Sequence, residues 1–280
     1  MLDSYFFVPA NNKRFIEKSK SLVVDHMIFD LEDAVASSEL EEALKNLKNL
    51  SDKKNCWVRP PLFVNEQIDN VILQKSLNIG FNKFVFPKVS AKVEMLFLEK
   101  WIIEQYGDNL LDKIEVILLV ENPNCLLELE KILESKLNIV AVSLGSHDYC
   151  NAMSMKHIRK NLDYSKHKIL NIARANGIMF LDSPSMNIKN KEIYTENIEE
   201  AFSLGCDGIM TIHPNQLKWI NEFPFYSEEE IETAKTIWQN VLQIGENNFS
   251  VIKLDGQVYE RPHLNRIKKI INWANTHESK

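Results

Sequence analysis

A chain of 280 residues with 45% hydrophobic and 26% charged side chains can bury a sizeable core, and its net charge of -6 gives no basic footprint for nucleic acid. No apolar run approaches the roughly 20 residues a membrane span needs, and the N-terminus lacks the basic start and cleavage site of a signal peptide, so a cytoplasmic protein with no membrane partner is expected. Only 8 glycines are present, in neither GxGxxG nor P-loop spacing, and the four cysteines, Cys56, Cys125, Cys150 and Cys206, form no CxxC pair and read as buried, reduced thiols.

In chain order, Ser4 to Val8 is a short apolar strand stopped by Pro9, and Asn11 or Asn12 can cap a helix from Arg14 to Leu22. Lys13 and Arg14 then lie near the strand tip beside helix amides, as an anion site for phosphate or carboxylate or, equally, as solvated charges. A second strand, His26 to Asp30, ends in Asp30, Glu32 and Asp33, acids that suit a site handling metal, water or protons better than a surface strand, with capping by Asp33 as the bland alternative. A helix over 39–50 follows, apolar at Leu40, Ala43, Leu44 and Leu47. The third strand, Cys56 to Arg59, is cut off by Pro60 and Pro61. Its arginine has the forked donors for a carboxylate or oxyanion, and can equally bridge to the Asp30 cluster. A helix is expected over 65–78, then a strand Lys83 to Phe86 followed by Pro87 and Lys88, a lysine that taken alone reads as solvated. The helix over 91–106 carries Val93, Leu96, Phe97, Ile102 and Ile103 as barrel exterior.

The centre of the chain is a β-α-β unit: Val116 to Val120 and Glu121, an amphipathic run from Leu126 to Lys136, then Val140 to Leu144 and Gly145-Ser-His-Asp148. Parallel strands lie about 4.8 Å apart, so Glu121 and Asp148, read as acids at neighbouring tips, can share one ion, and two hard oxygens suit Mg²⁺. A helix runs from Tyr164 to Asn176, the seventh strand from Gly177 to Leu181 before Asp182, a helix over 193–204, and the eighth strand from Gly208 to Ile212 before His213. His147 and His213 read as hydrogen-bonded scaffolding. Eight strands alternating with helices spell a (β/α)8 TIM barrel, whose C-terminal strand tips carry the site. The barrel is expected over 1–246. An extension over 247–280, extended at 249–258 and helical at 263–275, is expected to pack on the barrel or on a neighbouring subunit. Ionisable groups converging on one mouth point to an enzyme.

The stretches Phe7-Val-Pro-Ala-Asn11, Phe29-Asp-Leu-Glu-Asp-Ala-Val35, Val58-Arg59, Pro87-Lys88, Val120-Glu121, Gly145-Ser-His-Asp148, Gly205-Cys-Asp-Gly208, Ile212-His-Pro-Asn-Gln216 and Asp255-Gly-Gln-Val-Tyr-Glu260-Arg-Pro262 run collinearly along nearly the whole chain. Together they resemble the citrate lyase β-subunit and its relatives among the Mg²⁺-dependent HpcH/HpaI aldolases. The resemblance implies a carbon-carbon lyase that cleaves a citryl-, malyl- or citramalyl-type acyl thioester, on coenzyme A or a carrier protein, or a related hydroxy acid, to an α-keto acid and an acyl product. It implies Mg²⁺ on Glu121 and Asp148, Arg59 on the substrate carboxylate or carbonyl, Lys13 and Arg14 near coenzyme A phosphates, and a homo-oligomer, a trimer. Relatives use an aspartate of a C-terminal Asp-x-Pro motif that reaches a neighbouring subunit's site, and Glu260 stands there in this chain. The candidate set is therefore Arg59, Glu260, Asp30 and Glu32 as catalytic groups, Arg59, Glu121, Lys13, Arg14 and Lys88 on the substrate, and Glu121 and Asp148 on the metal. Departures are Ala10 for a family glycine, Pro61 for asparagine, Asn122 for threonine, His147 for an acid and Ile209 for a lysine. The same site read in reverse gives condensation of the malate synthase kind, or thioester hydrolysis. A barrel without turnover that serves as a binding subunit is the reading from another class.

Overall fold

A computed structural model of the chain describes residues 1–254 and 256–277. It divides into two compact units, Leu2–Glu222 and Phe223–Lys280, with Met1 grouped in the second. The boundary expected at 246/247 falls inside the second unit, because the helix that begins at Glu228 packs on the last helix of the chain.

The first unit is a closed barrel of eight parallel strands: β1 (Asp3–Pro9), β2 (His26–Asp30), β3 (Cys56–Arg59), β4 (Lys83–Phe86), β5 (Glu115–Val120), β6 (Asn138–Leu144), β7 (Met179–Asp182) and β8 (Gly208–Thr211), each hydrogen-bonded to the next and β8 back to β1. The helices between them are α1 (Lys13–Ser19), α2 (Leu40–Lys48), α3 (Val71–Asn78), α4 (Lys92–Tyr106), α5 (Pro123–Ile132), α6 (Ser146–Ala152), α7 (Arg159–Ala175), α8 (Lys191–Leu204) and α9 (Pro214–Asn221). This is the expected (β/α)8 barrel. Among the described residues no helix is long and apolar enough to cross a membrane.

Side-chain parity determines what reaches the mouth. Tyr5, Ile28, Trp57, Ile117, Leu119, Leu181 and Met210 form one buried cluster inside the barrel. Because side chains alternate along a strand, the residues two further on also point inward: Asp30 after Ile28, Arg59 after Trp57, Glu121 after Leu119 and Ile212 after Met210. Asp182, one residue after inward Leu181, points outward instead.

Two local elements differ from the sequence-based expectation. The helix expected over 65–78 begins at Val71; before it a two-stranded hairpin pairs Phe63–Val64 with Gln67–Ile68 across Asn65 and Glu66, both at positive φ (48° and 64°), as a tight primed turn requires. The strand β6 stops at Leu144, and Asp148 lies in the first turn of the short helix α6 rather than at a strand tip.

In the second unit, α10 (Glu228–Ile244) begins with a capping box in which Ser227 and Glu230 satisfy each other's backbone donors. The segment expected to be extended is an antiparallel hairpin, Val251–Leu254 against Gln257–Glu260, and the chain continues into α11 (Leu264–His277), whose Arg266 pairs with Glu230 at 3.0 Å. Asp255 of the quoted C-terminal motif lies outside the described residues.

Candidate active site

A cavity of about 380 Å³ opens at the C-terminal ends of the barrel strands, lined among others by Asp30, Asp33, Arg59, Glu121, Gly145, His147 and Asp148, with Leu119, Leu144, Met186, Met210 and Ile212 as its apolar wall.

On one side, Asp30 and Arg59 are register partners of β2 and β3, so the ion pair follows from the sheet itself. Arg59 Nε and Nη2 donate to the two Asp30 oxygens at 2.8 and 2.6 Å, while the Glu32 and Ala34 amides donate to the same oxygens at 3.0 and 3.1 Å. A carboxylate offers about four lone-pair directions, and here all are filled. Asp30, expected as a catalytic group, therefore orients Arg59 and its own loop and has no free lone pair for a reacting proton. The third edge of Arg59, Nη1, is held more loosely by Glu32 and Asp33, each at 3.2 Å, and the guanidinium stacks over Phe7 at 5.0 Å. Glu32 has its carboxyl pushed up by burial, an effect opposed by Arg59 and Lys88.

Lys88 does not line the cavity. Its ammonium pairs with Glu32 and, at 3.4 Å, with Asp33, and its amide donates to Glu121 Oε2 at 2.6 Å.

The other side is built by β5, β6 and α6. Val120 and Leu144 are register partners and the Gly145 amide donates to Val120 O at 3.0 Å, which sets Glu121 directly against Gly145. A Cβ on Gly145 would lie 2.2 Å from Glu121 Cγ, so only glycine leaves room for this carboxylate. Glu121 is 4% exposed, and its pKa is pushed up to about 8, first by burial and then by Glu32 and Asp148, against the Lys88 amide. A buried carboxylate beside further acids, with hard oxygen donors and a cradle kept clear by glycine, fits a divalent cation such as Mg²⁺. Among the described residues no group of three or more His, Cys, Asp or Glu side chains has metal-binding geometry, so water and substrate oxygens would complete the shell of a two-carboxylate site.

The remaining candidates lie elsewhere. Lys13 and Arg14 are exposed and off the cavity wall, Lys13 in a 2.8 Å pair with Glu42. Glu260 ends the hairpin of the second unit, where its amide donates to His263 Nδ1 at 2.8 Å. Asp182 turns away from the barrel interior to a buried 2.7 Å ion pair with Lys166 of α7. His213 caps α9 by accepting from the Asn215 amide, and Asn122 caps α5. The His147 ring stacks on His157 at 4.0 Å, and His157 Nε2 lies 2.9 Å from Ser146 Oγ. Ala10 is fully buried and gives nothing to the cavity. All four cysteines are free, and burial pushes the Cys56 thiol up to about 11. The sequence brought Gly145 forward only as part of the Gly145-Ser-His-Asp148 motif, without its clearance role, and did not bring His157 forward at all.

The model for the family described as HpcH/HpaI aldolase/citrate lyase matches residues 3–214 of this chain. The chain belongs to that family. Membership makes it an enzyme of the lyase class on a TIM barrel. Similar relatives include the citrate lyase subunit beta of Leuconostoc mesenteroides subsp. cremoris, 24% identical over 96% of this chain and 92% of the relative. The mitochondrial citramalyl-CoA lyase of Homo sapiens is 25% identical over 98% and 86%, and the (3S)-malyl-CoA thioesterase of Cereibacter sphaeroides 23% over 93% and 90%. Among solved structures, CitE from Mycobacterium tuberculosis in complex with magnesium, acetoacetate and coenzyme A superposes with a TM-score of 0.80 at 20% identity, covering 98% of both chains.

Proposed function

We propose that this cavity is the active site of a Mg²⁺-dependent carbon-carbon lyase that cleaves a citryl-, malyl- or citramalyl-type acyl thioester, or a related hydroxy acid, to an α-keto acid and an acyl product. One observation carries the reading: Glu121, buried and electrostatically coupled to Asp148, shares a cavity with an arginine already locked in orientation by Asp30. When bound by Glu121 and Asp148, Mg²⁺ would supply a Lewis acid for the keto-acid oxygens.

The chain's own groups account for the rest. Arg59, fixed on two edges by Asp30, presents Nη1 to the carbonyl oxygen on which charge develops as the bond breaks. Leu119, Leu144, Met186, Met210 and Ile212 exclude water from the enolate carbon until an acid protonates it. Glu32, with its carboxyl raised by burial, is the nearby group suited to proton movement. Glu260 of a neighbouring copy in a homo-oligomer, a trimer, supplies the acid, and Lys13 and Arg14 meet the phosphates of a coenzyme A or carrier-protein thioester. The relatives include a malyl-CoA thioesterase, so hydrolysis of the thioester on this same site is the second reading, with condensation as the reverse of the first.

The test is a thermal shift with Mg²⁺ and pyruvate, oxaloacetate or glyoxylate on wild type and Glu121→Ala. A ligand at 100 times its Kd adds about 2.7 kcal/mol of stability. Stabilisation that needs both Mg²⁺ and Glu121 is expected; none with any acid in folded protein would sink the lyase and leave a binding subunit.

A further inference from the structure

Lys88 combines three features that its position outside the cavity wall does not explain. It holds a left-handed backbone (φ 59°), rare for a side-chain-bearing residue and strained by steric crowding of its Cβ. Through that backbone its amide reaches Glu121 Oε2 at 2.6 Å. Its ammonium meanwhile pairs with Glu32 and Asp33, the same two carboxylates that hold Arg59 Nη1 at 3.2 Å.

Resting on the lyase reading above, we propose that Lys88 is a positioning residue that serves both sides of the cavity: its amide aims Glu121, and its ammonium draws Glu32 and Asp33 away from Arg59 when substrate arrives. The geometry of Arg59 makes such an exchange possible at one edge only. Nε and Nη2 sit at 2.8 and 2.6 Å from Asp30, while Nη1 has only the two longer contacts. Glu32 is the partner that solvent cannot compensate, since its side chain is 7% exposed whereas that of Asp33 is 53% exposed. With Lys88 present, the acids keep a cation after Nη1 turns to a substrate oxygen. Without it, binding a substrate oxygen would strand a buried carboxylate, which is costly.

Three variants of the full chain test the ammonium while leaving the amide in place. Lys88→Met removes the ammonium at similar length and keeps the backbone strain. Lys88→Gly removes it while adopting the left-handed backbone freely and keeping the amide. Lys88→Met combined with Glu32→Gln removes the buried, unbalanced acid as well. Mg²⁺ binding is followed by calorimetry, and keto-acid binding is measured with whichever of pyruvate, oxaloacetate or glyoxylate stabilises wild type most, at saturating Mg²⁺. Both single variants should keep Mg²⁺ affinity within about threefold while losing about 10- to 100-fold in keto-acid affinity, the scale of a charged hydrogen bond. The double variant should regain most of that loss, a rescue that a merely structural lysine would not give. Unchanged keto-acid affinity in folded Lys88→Met, or no rescue by Glu32→Gln, overturns the proposal while leaving the lyase standing. Wild type that binds no keto acid with Mg²⁺ overturns the lyase reading and this role together.

Discussion

Around the cavity mouth, the carboxylates that follow β2 are all matched: Asp30 by two edges of Arg59, and Glu32 and Asp33 by its third edge and by Lys88. Those contributed beyond β5 and on α6 have no ion pair among the described residues. Glu121 receives a hydrogen bond from the Lys88 amide, repulsion from Glu32 and Asp148, and a Coulombic offset from Arg59. Both sides bury acids, yet one is closed by built-in cations and the other is held open at a cost in solvation. An enzyme that positions an arginine needs the first arrangement, and one that recruits a cation needs the second.

The contrast can be broken from either side. Glu121→Gln should have the largest effect, abolishing Mg²⁺ binding in calorimetry and lowering kcat/KM on the order of 10³-fold or more; retained metal affinity would place the ion elsewhere. Asp30→Asn attacks the closed side. It leaves the buried Arg59 guanidinium without its bidentate counter-charge and should cost about 3–5 kcal/mol in denaturant unfolding, and a loss below 1 kcal/mol would mean Arg59 does not depend on it. Gly145→Ala forces a methyl to within 2.2 Å of Glu121 Cγ, so the carboxylate must shift. We expect Mg²⁺ affinity to fall about 10- to 100-fold with about 1–3 kcal/mol of overpacking.

The pH dependence sharpens the same comparison and is the gentlest test. Glu121 titrates near 4.5 when unfolded and at about 8 in the fold. Between those values the folded state binds more protons than the unfolded one, so metal-free stability falls as pH rises from about 4.5 to 8 and levels off above. Metal needs the ionised carboxylate, so Mg²⁺ affinity should climb over the same window. Melting curves at several pH values should slope for wild type and flatten for Glu121→Gln; equal slopes would assign the proton to another group.

The barrel was legible because its signal is redundant: eight apolar runs, each ending in a turn or charge, outweigh errors at any one boundary. Local backbone was less so. Asn65 and Glu66 fit a helical pattern by composition, and only their positive φ reveals a hairpin. The helix α6 escaped notice because Ser146–Ala152 is short and follows β6 after a single glycine. The Arg59 pairing was readable from acids and arginine at neighbouring strand ends. Parity within β7 already separates outward Asp182 from inward Leu181, a cue available in the sequence once the inward phase of the strand is known. The clearance at Gly145 and the left-handed turn at Lys88 depend on how neighbouring strands align, which residue type alone does not encode.

The seam between β1 and β8 carries a consequence for how the protein is made. Tyr5 O accepts from Thr211 Oγ1 at 3.4 Å across 206 positions of sequence, and Gly208 packs so closely there that a Cβ would meet Asp3 O at 2.6 Å. A nascent chain leaves the ribosome N-terminus first, so the apolar edge of β1 stays unpaired until residues 208–211 have emerged. For most of synthesis the cell therefore handles an open, sticky sheet edge. Glu121 and Asp148 are translated before that strand, yet the ring that gives their cavity a wall on every side closes only when it is added.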